Sequence, residues 1–520
     1  MPDSRMPVNA PQPHSGAPRQ RYLEALPMTL RTRLILGAAG GAAFGASQLM
    51  VDYGALVWLS FVLLGMAFGG ASGRHTAACV LVWALTGYGT GLWWVTVFGL
   101  LPWIILTIWQ TVFLMPAGLV AGGSCRSGRL FAAAAGVAAL LALGEWLAGS
   151  GPAGVAMATA SGPLARNLAA VQWASVCGAP GLSFLVAFCG LAAGLSLVSR
   201  RPAAFVAALV LPGGLLIAGW ALRETAPPPQ GHLRVAAAQG MTAPGFEDPL
   251  PPRETLQVYF ELSARARMEH GAQLVLWPET ACPGLPFQDE RLLEALKDAF
   301  RELRMAAVIG AQNSPQEPGS DPSPRNVALG ISREGRVDGA YEKQRLVPFG
   351  ECVPSPHLTG LARLWRGDAR DYRPGGRWPP IPLEGAQIGV LICSETMFTH
   401  LAALRVREGA TLLAVLSNDS WFGRGPATEQ LARTCILRAV EFRRSLARSA
   451  ESGYSLMIAP DGRVLAQSAL MRRCVVAASL PLVEGRSIYS RLLPGLPSIL
   501  AAVAVGALAV CGAREDAGNR

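Results

Sequence analysis

The chain has 520 residues, of which 51% are hydrophobic and only 15% charged, well below the roughly 25% charge of soluble domains, and its mean hydropathy is +0.32. A net charge of +10 would suit a nucleic-acid binder, but no zinc-finger spacing or basic helix accompanies it, so that class is set aside. Six histidines without an HExxH motif or a His/Cys cluster give zinc no support, and ten scattered cysteines, several inside apolar runs, argue against a disulfide framework.

The shortage of charge is uneven. The first 225 residues and the last 30 are almost free of carboxylates, whereas the segment between has an ordinary mixture. A membrane part and a water-facing part are the direct reading. After a tail of residues 1–30, apolar runs near the ~20 residues that a bilayer core requires are predicted at 34–51, 55–72, 76–98, 101–122, 130–149, 179–198 and 203–222, with an eighth at 491–512. The first is rich in Gly and Ala, which favours close helix contacts. The fourth carries Pro102 and Pro116, which a membrane helix tolerates when neighbours satisfy the freed backbone groups. No short apolar core with a cleavage site precedes the first run, so a cleavable signal peptide is not predicted. Between the fifth and sixth runs, Gly162–Leu185 reads as an interfacial or re-entrant segment. Glu145 falls near one end of the fifth, where a carboxylate is either solvated at headgroup level or part of a site.

Basic residues occupy alternate gaps: Arg31 and Arg33, Arg74, Arg126 and Arg129, Arg200 and Arg201, then Arg514. The gaps near Asp52–Gly54 and Gly99–Leu101 carry none. The positive-inside rule then predicts both chain ends in the cytoplasm, with seven crossings delivering residues 226–488 to the other face.

Those residues alternate short apolar strands with helical stretches, the pattern of an α/β fold whose sheets are covered by helices. Strands are predicted at 233–238, 273–277, 306–310, 327–331, 386–392, 412–416, 454–458 and 475–480, and helices at 253–269, 290–303 and 428–447. A Pro/Gly/Ser-rich insert, Ser314–Pro324, reads as a surface loop, and a second, Leu358–Pro380, as a lid or a membrane-facing loop because of its tryptophans.

Within this frame four residues carry chemistry. Cys393 stands where the β-branched run Ile388–Ile392 hands over to a loop; Glu279 ends the strand in LWPET; Lys343 and Glu351 open and close KQRLVPFGE. A thiol becomes a nucleophile when a neighbouring base takes its proton, and a tetrahedral oxyanion is stabilised by an ammonium or N–H donor. Glutamate, lysine and cysteine so placed supply base, oxyanion clamp and nucleophile for acyl transfer. Structural readings stand beside this one: Cys393 as a core thiol, Glu279 and Lys343 as an ion pair, Glu351 as a receiver of loop N–H groups. Asn418 and Asp419 in SNDSWFG either fix a turn or line the site.

The motifs LWPET, YEKQRLVPFGE, LICSET and SNDSWFG, in this order and with seven apolar runs before and one after, resemble the apolipoprotein N-acyltransferase family of the nitrilase-like carbon–nitrogen hydrolase superfamily, over about residues 31–512. The resemblance implies an α/β fold in which an αββα nitrilase-like sandwich is inserted between transmembrane helices 7 and 8 of an eight-helix membrane domain. Its domains would be a tail at 1–30, seven helices within 31–225, a periplasmic catalytic domain at 226–488, and the eighth helix and tail at 489–520 of a bacterial inner-membrane protein. It implies Glu279 as general base, Lys343 as oxyanion-stabilising lysine, Cys393 as nucleophile and Glu351 as an additional active-site glutamate. Ser394, Glu395, Asn418 and Trp421 are further site residues by the same token. The activity implied is transfer of an acyl chain, through a cysteine thioester, from a membrane phospholipid donor to the N-terminal amine of a diacylated apolipoprotein, by a monomer without cofactor, metal or nucleic acid.

The chain departs from the family pattern in places. Cys393-Ser394-Glu395 replaces CYE, Phe246 stands in QGMTAPGFEDPL where a tryptophan is expected, and EFRRS (Glu441–Ser445) replaces an ETGRP-like string. Glu451-Ser452-Gly453 replaces an NTG-like turn. A membrane-bound hydrolase using water, or an acyltransferase with another amine acceptor, stays open as an alternative. A transporter with an appended domain accounts for the apolar runs but not for the Glu-Lys-Cys set.

Overall fold

The computed structural model describes residues 27–49, 53–151, 154–242, 249–284, 286, 288–313, 323–348, 350–353, 360, 371–376 and 378–512. Phe246, Asp52, Arg514, most of the Ser314–Pro324 insert and most of the Leu358–Pro380 insert lie outside the described residues.

Seven apolar helices come first: α1 (Leu30–Leu49), α2 (Leu56–Phe68), α3 (Gly73–Gly91), α4 (Leu100–Arg126), α5 (Leu130–Ala148), α6 (Ala174–Val198) and α7 (Pro202–Arg223). Among the described residues, five segments are long and apolar enough to cross a membrane: 100–125, 130–148, 170–198, 202–223 and 488–511. The protein is therefore a multi-pass membrane protein. The remaining predicted runs are helical too, but α2 has only 13 residues, and α1 and α3 exchange hydropathy for small side chains. The reason is packing. A Cβ on Gly41 of α1 would overlap the Trp83 carbonyl of α3, so only glycine lets the two backbones approach this closely. Helix α6 begins five residues earlier than predicted and breaks at Gly178 (φ 69°), while the segment before it winds through two 3₁₀ turns, Gly162–Leu164 and Ala170–Trp173.

The elements that follow are β1 (Gly231–Gln239), α8 (Pro252–His270), β2 (Leu274–Trp277), α9 (Glu290–Leu303), β3 (Ala306–Asn313), β4 (Arg325–Ile331), β5 (Val337–Glu342), β6 (Ile381–Leu383) and β7 (Ala386–Ile392). They continue with α10 (Thr399–Arg407), β8 (Leu412–Ser417), α11 (Pro426–Phe442), β9 (Ser445–Ala450), β10 (Leu456–Ile458), β11 (Val464–Gln467) and β12 (Cys474–Leu482), before α12 (Ile488–Leu492) and α13 (Leu496–Gly512). Two six-stranded mixed sheets result, in the orders β12-β1-β2-β3-β4-β5 and β11-β10-β9-β8-β7-β6. Each has three parallel strands at its centre and antiparallel strands outside them. Alternate residues of β1, β2 and β3 (Val235, Leu276, Val308) meet those of β7 and β8 (Ile388, Val390, Leu412, Ala414) in a core between the sheets. The outer face of the first sheet packs on α8 and α9, and that of the second on α10 and α11, giving an αββα sandwich. Asp289 caps α9 by accepting the Leu292 N–H at 3.1 Å.

One end of the membrane helices is tied by arginines to helix carbonyls. Arg33, 5% exposed, donates to Ala67 O (2.6 Å) and Gly69 O (2.8 Å) at the C-terminus of α2, Arg129 donates to Val510 O near the end of α13, and Arg201 to Gly128 O (3.3 Å). Cations at helix C-termini satisfy orphan carbonyls and oppose the negative end of the helix dipole. The basic residues that make these bonds come from the first turn of α1 and from the α4–α5 and α6–α7 connections.

The sandwich docks on the opposite end through α11, of which every residue except Pro426 and Thr434 is buried. Glu429 takes a bidentate pair from Arg166 (2.8 and 2.8 Å) and a further bond from Arg433 (3.0 Å), which also donates to Ser47 O (2.9 Å). Gln430 donates to Gly91 O (2.8 Å), and Arg223 reaches Asp461 (3.0 Å). Removing one member of a buried charge set strands the others at a cost of about 3–5 kcal/mol. Glu429→Ala is expected to destabilise the detergent-solubilised protein by about that amount, seen as an earlier thermal transition, whereas Arg265→Ala, in a surface pair with Glu269, should shift it little.

Candidate active site

Strand β2 ends at Trp277, and two residues later Glu279, 7% exposed, turns toward the second sheet, followed by Thr280 in the left-handed region (φ 55°). Its Oε1 accepts from Lys343 Nζ at 2.9 Å and from Asn326 Nδ2 at 2.7 Å, and its Oε2 accepts the Asn418 backbone N–H at 2.9 Å. Lys343 follows β5 directly, is 1% exposed, and donates a second bond to Glu351 Oε1 at 2.8 Å. Glu351 Oε2 takes the Val347 N–H at 2.8 Å, closing the KQRLVPFGE loop on itself, and Asn326 Nδ2 also reaches Glu351 Oε1 at 3.3 Å. Burial works against the Lys343 ammonium, but the carboxylates of Glu279 and Glu351 and the Cys393 sulfur hold its pKa well above that of an ordinary lysine. The lysine is therefore a fixed positive charge.

Cys393 begins a 3₁₀ turn, Cys393–Met397, at the end of β7, with φ at 52°. A non-glycine residue in this conformation stores about 1–3 kcal/mol of strain. Such a turn carries the thiol off the strand direction while leaving it partly accessible. Burial raises the thiol pKa and the Glu279 charge raises it further, against the opposing effect of Lys343, so the resting sulfur is protonated. The thiol and the Glu279–Lys343 pair share one electrostatic neighbourhood. A carboxylate is a base able to accept the proton of such a thiol.

Glu395 is fully buried and does not join the carboxylate pair. It accepts from the Tyr341 hydroxyl (2.8 and 2.9 Å) and from the N–H groups of Gln344 (2.7 Å), Arg345 (3.1 Å) and Ile392 (2.7 Å). One side chain thereby ties the residues beside Lys343 to the residue before Cys393. It is a positioning residue, and burial raises its pKa despite these donors. Asn418 serves twice: its backbone N–H meets Glu279, while its Oδ1 accepts from the Ser420 N–H (3.2 Å) and hydroxyl (2.5 Å) to fix the turn. Asp419 is fully buried against Arg448 of β9, with bonds of 2.8 and 2.8 Å, and accepts the Ser417 hydroxyl at 2.7 Å. Gly453 packs on that carboxylate so closely that any Cβ would overlap it, which explains the glycine of the Glu451-Ser452-Gly453 turn. Glu451 in turn accepts from Thr242 Oγ1 (2.8 Å) and the Tyr259 hydroxyl. Ser394 is buried and its hydroxyl has no hydrogen-bond partner among the described residues, and Trp421 is 44% exposed.

Asn326 was not among the residues singled out from the sequence, although it bridges both glutamates. Its signal was a polar residue opening an otherwise apolar strand, RNVALGI. Two tethers hold the site to the membrane helices: Phe422, just past Asn418, packs edge-on against Trp94 (5.2 Å), and Arg345 reaches Gly151 O while stacking over Phe398 (4.3 Å). Among the described residues no group of His, Cys, Asp and Glu is arranged to hold a metal.

With its pKa raised, Cys393 should alkylate with a rate that climbs about tenfold per pH unit from pH 7 to 9 and shows no plateau near the ordinary thiol value of about 8.5. Iodoacetamide labelling of this peptide, followed by mass spectrometry, checks it. Glu395→Ala would leave four donors, two of them fully buried, without their acceptor at about 1–3 kcal/mol for each buried one, and is expected to lower stability and change the alkylation rate of Cys393, with Glu395→Gln intermediate.

Residues 40–192 match the apolipoprotein N-acyltransferase N-terminal domain family, and residues 234–489 match the carbon-nitrogen hydrolase family. The chain is 31% identical over 458 residues to an apolipoprotein N-acyltransferase of Geobacter metallireducens, an alignment covering 84% of this chain and 87% of that protein. It is 30% identical over 485 residues to one of Azotobacter vinelandii, covering 88% and 91%. A variant of an amidase from Nesterenkonia sp. AN1, of known structure, aligns with 51% of this chain and 95% of its own at 22% identity and a TM-score of 0.39.

Proposed function

The chain belongs to the apolipoprotein N-acyltransferase family, and on that premise we propose that it moves an acyl chain from a membrane phospholipid to the N-terminal α-amine of a diacylglyceryl-cysteine lipoprotein. The observation that carries the reading is the buried Glu279–Lys343–Glu351 cluster with Cys393 in its field, tethered to the membrane helices through Arg345 and Phe422.

In the first half-reaction Glu279 takes the Cys393 proton as the sulfur attacks the ester carbonyl. Lys343 and the Ser394 N–H stabilise the oxyanion, and the lysophospholipid leaves with the proton that Glu279 returns. In the second, Glu279 accepts a proton from the incoming amine as it attacks the thioester, the amide forms and the thiol is restored. Glu351 and Asn326 hold the lysine and the base in register throughout. Membrane attachment follows from energetics. Lifting an acyl chain into water costs about 0.8 kcal/mol per CH₂, so the thiol has to meet the ester at headgroup level. Exclusion of water protects the thioester from hydrolysis.

All eight apolar helices cross the bacterial inner membrane in this proposal, with seven in residues 31–225 and the eighth in 489–520. The arginine-tied end lies in the cytoplasm, and residues 226–488 lie in the periplasm. The exposed Trp93, Phe98 and Trp421 sit at the junction with the sandwich, where indole and phenyl rings favour the headgroup layer. Incubation with phospholipid is expected to add one acyl mass to Cys393, and a diacylated lipopeptide should discharge it as an amide. Cys393→Ala should fold normally and carry no adduct. An adduct persisting on that variant, or release of free fatty acid alone, would overturn the assignment.

A further inference from the structure

Apart from the catalytic cluster, a cavity of about 390 Å³ opens where α5, α6 and the α12–α13 segment meet the catalytic domain, lined among others by Glu145, Ser183, Phe398, His400, Arg407 and Arg438. Cys393 does not line it. Its walls differ in charge. On the sandwich side Arg438, 3% exposed, lies with Nη1 3.1 Å from Glu441 Oε2, and neither its Nε nor that Nη1 makes an aligned hydrogen bond, while Glu441 Oε1 accepts the Ala179 N–H at 2.7 Å. Arg407 stands at the exposed rim of the same wall. His400, which lines the same cavity, has its pKa lowered first by the surrounding protein and then by Arg345, Arg407 and Arg438.

On the membrane-helix side Glu145 accepts the Ala160 N–H at 2.8 Å through Oε1, while Oε2, beside the Ser183 side chain, has no aligned donor. The residues flanking the cavity in sequence are exposed and apolar, Leu147 and Leu492 at 41% each, as expected of a mouth that opens onto lipid.

We propose that this cavity is a second, non-catalytic lipid site. It takes a phospholipid whose phosphate lies against Arg438 and Arg407 and whose headgroup amine donates to Glu145. Arginine suits a phosphate through its paired donors, and an ammonium satisfies an orphan carboxylate oxygen in a way that a choline group, with no N–H, does not. The occupant touches Phe398, which directly follows the turn that starts at Cys393, so binding braces the nucleophile's backbone from behind. The inference rests on the protein being a membrane protein and is independent of acyl transfer.

The test uses the full-length Cys393→Ala protein in detergent with a phosphatidylethanolamine carrying a photoactivatable headgroup, and maps the labelled peptides. Labelling is expected around Leu437 and Leu493, with unlabelled phosphatidylethanolamine competing at least tenfold better than phosphatidylcholine, diacylglycerol or inorganic phosphate. Arg407→Gln with His400→Gln, both at the rim and outside the folded core, should lower it about tenfold. Glu145→Gln should abolish the preference over phosphatidylcholine. Labelling unaffected by these variants, or competition by diacylglycerol or inorganic phosphate as strong as by the phospholipid, would overturn the proposal. Acylation of Cys393 in the parent protein reads the catalytic assignment separately, so either can fail alone.

Discussion

Lys343 keeps its charge at a place that water scarcely reaches only because two carboxylates flank it, and the surrounding architecture follows from that constraint. Glu279 comes from the end of β2, Lys343 from the end of β5, and Glu351 from the loop beyond, so the cluster requires an interior strand and an edge strand of one sheet to stay in register. The second sheet contributes Cys393 from β7 and the Asn418 N–H from β8. The three donors to Glu279 are one cation and two amides, which orient the carboxylate without adding a second full charge.

The second layer of the site is unusually polar for an interior. Glu395, Asp419, Arg448 and Glu451 are all nearly inaccessible, and each is met by hydrogen-bond partners from a different strand or loop. Buried charges of this kind contribute little net stability, but they penalise any arrangement that leaves one unmatched. Their effect is to fix where the β-strand ends point. The strain at Cys393 is maintained by this shell, since the Ile392 N–H and the Arg345 N–H are held by the same carboxylate.

Much of this was legible in the chain, and the exceptions have physical causes. Apolar strands such as Ile388–Ile392 and Leu412–Leu416, and the amphipathic helix Glu290–Leu303, were read with their boundaries nearly right because pattern and propensity agree there. The predicted helix 428–447 ran too far. Arg443 in fact adopts the left-handed conformation and Ser445–Ala450 turns into β9, a buried strand whose sequence, SLARSA, looks polar because Arg448 is matched by Asp419 from 29 positions away. Long-range ion pairing leaves no local trace. The same holds for Asn326 and Glu395, whose roles depend on partners brought together by the fold. Arg33 counted only as an orientation signal in the sequence, yet it is buried and caps α2. The Glu-Lys-Cys set was visible because each residue interrupts or ends an apolar strand.

Helix α11 has no water-facing side: one flank belongs to the second sheet and the other to the ends of α1, α3 and the turns before α6. In soluble α/β sandwiches the corresponding layer is the exterior of the molecule. Here that exterior has become a shared interior. A shed or proteolysed sandwich would present Leu431, Ile436 and Leu437 to solvent together with arginines deprived of their carbonyls. Recombination between lineages can therefore exchange this hydrolase-like half only along with the helices beneath it, and the two must drift in sequence as one inherited unit.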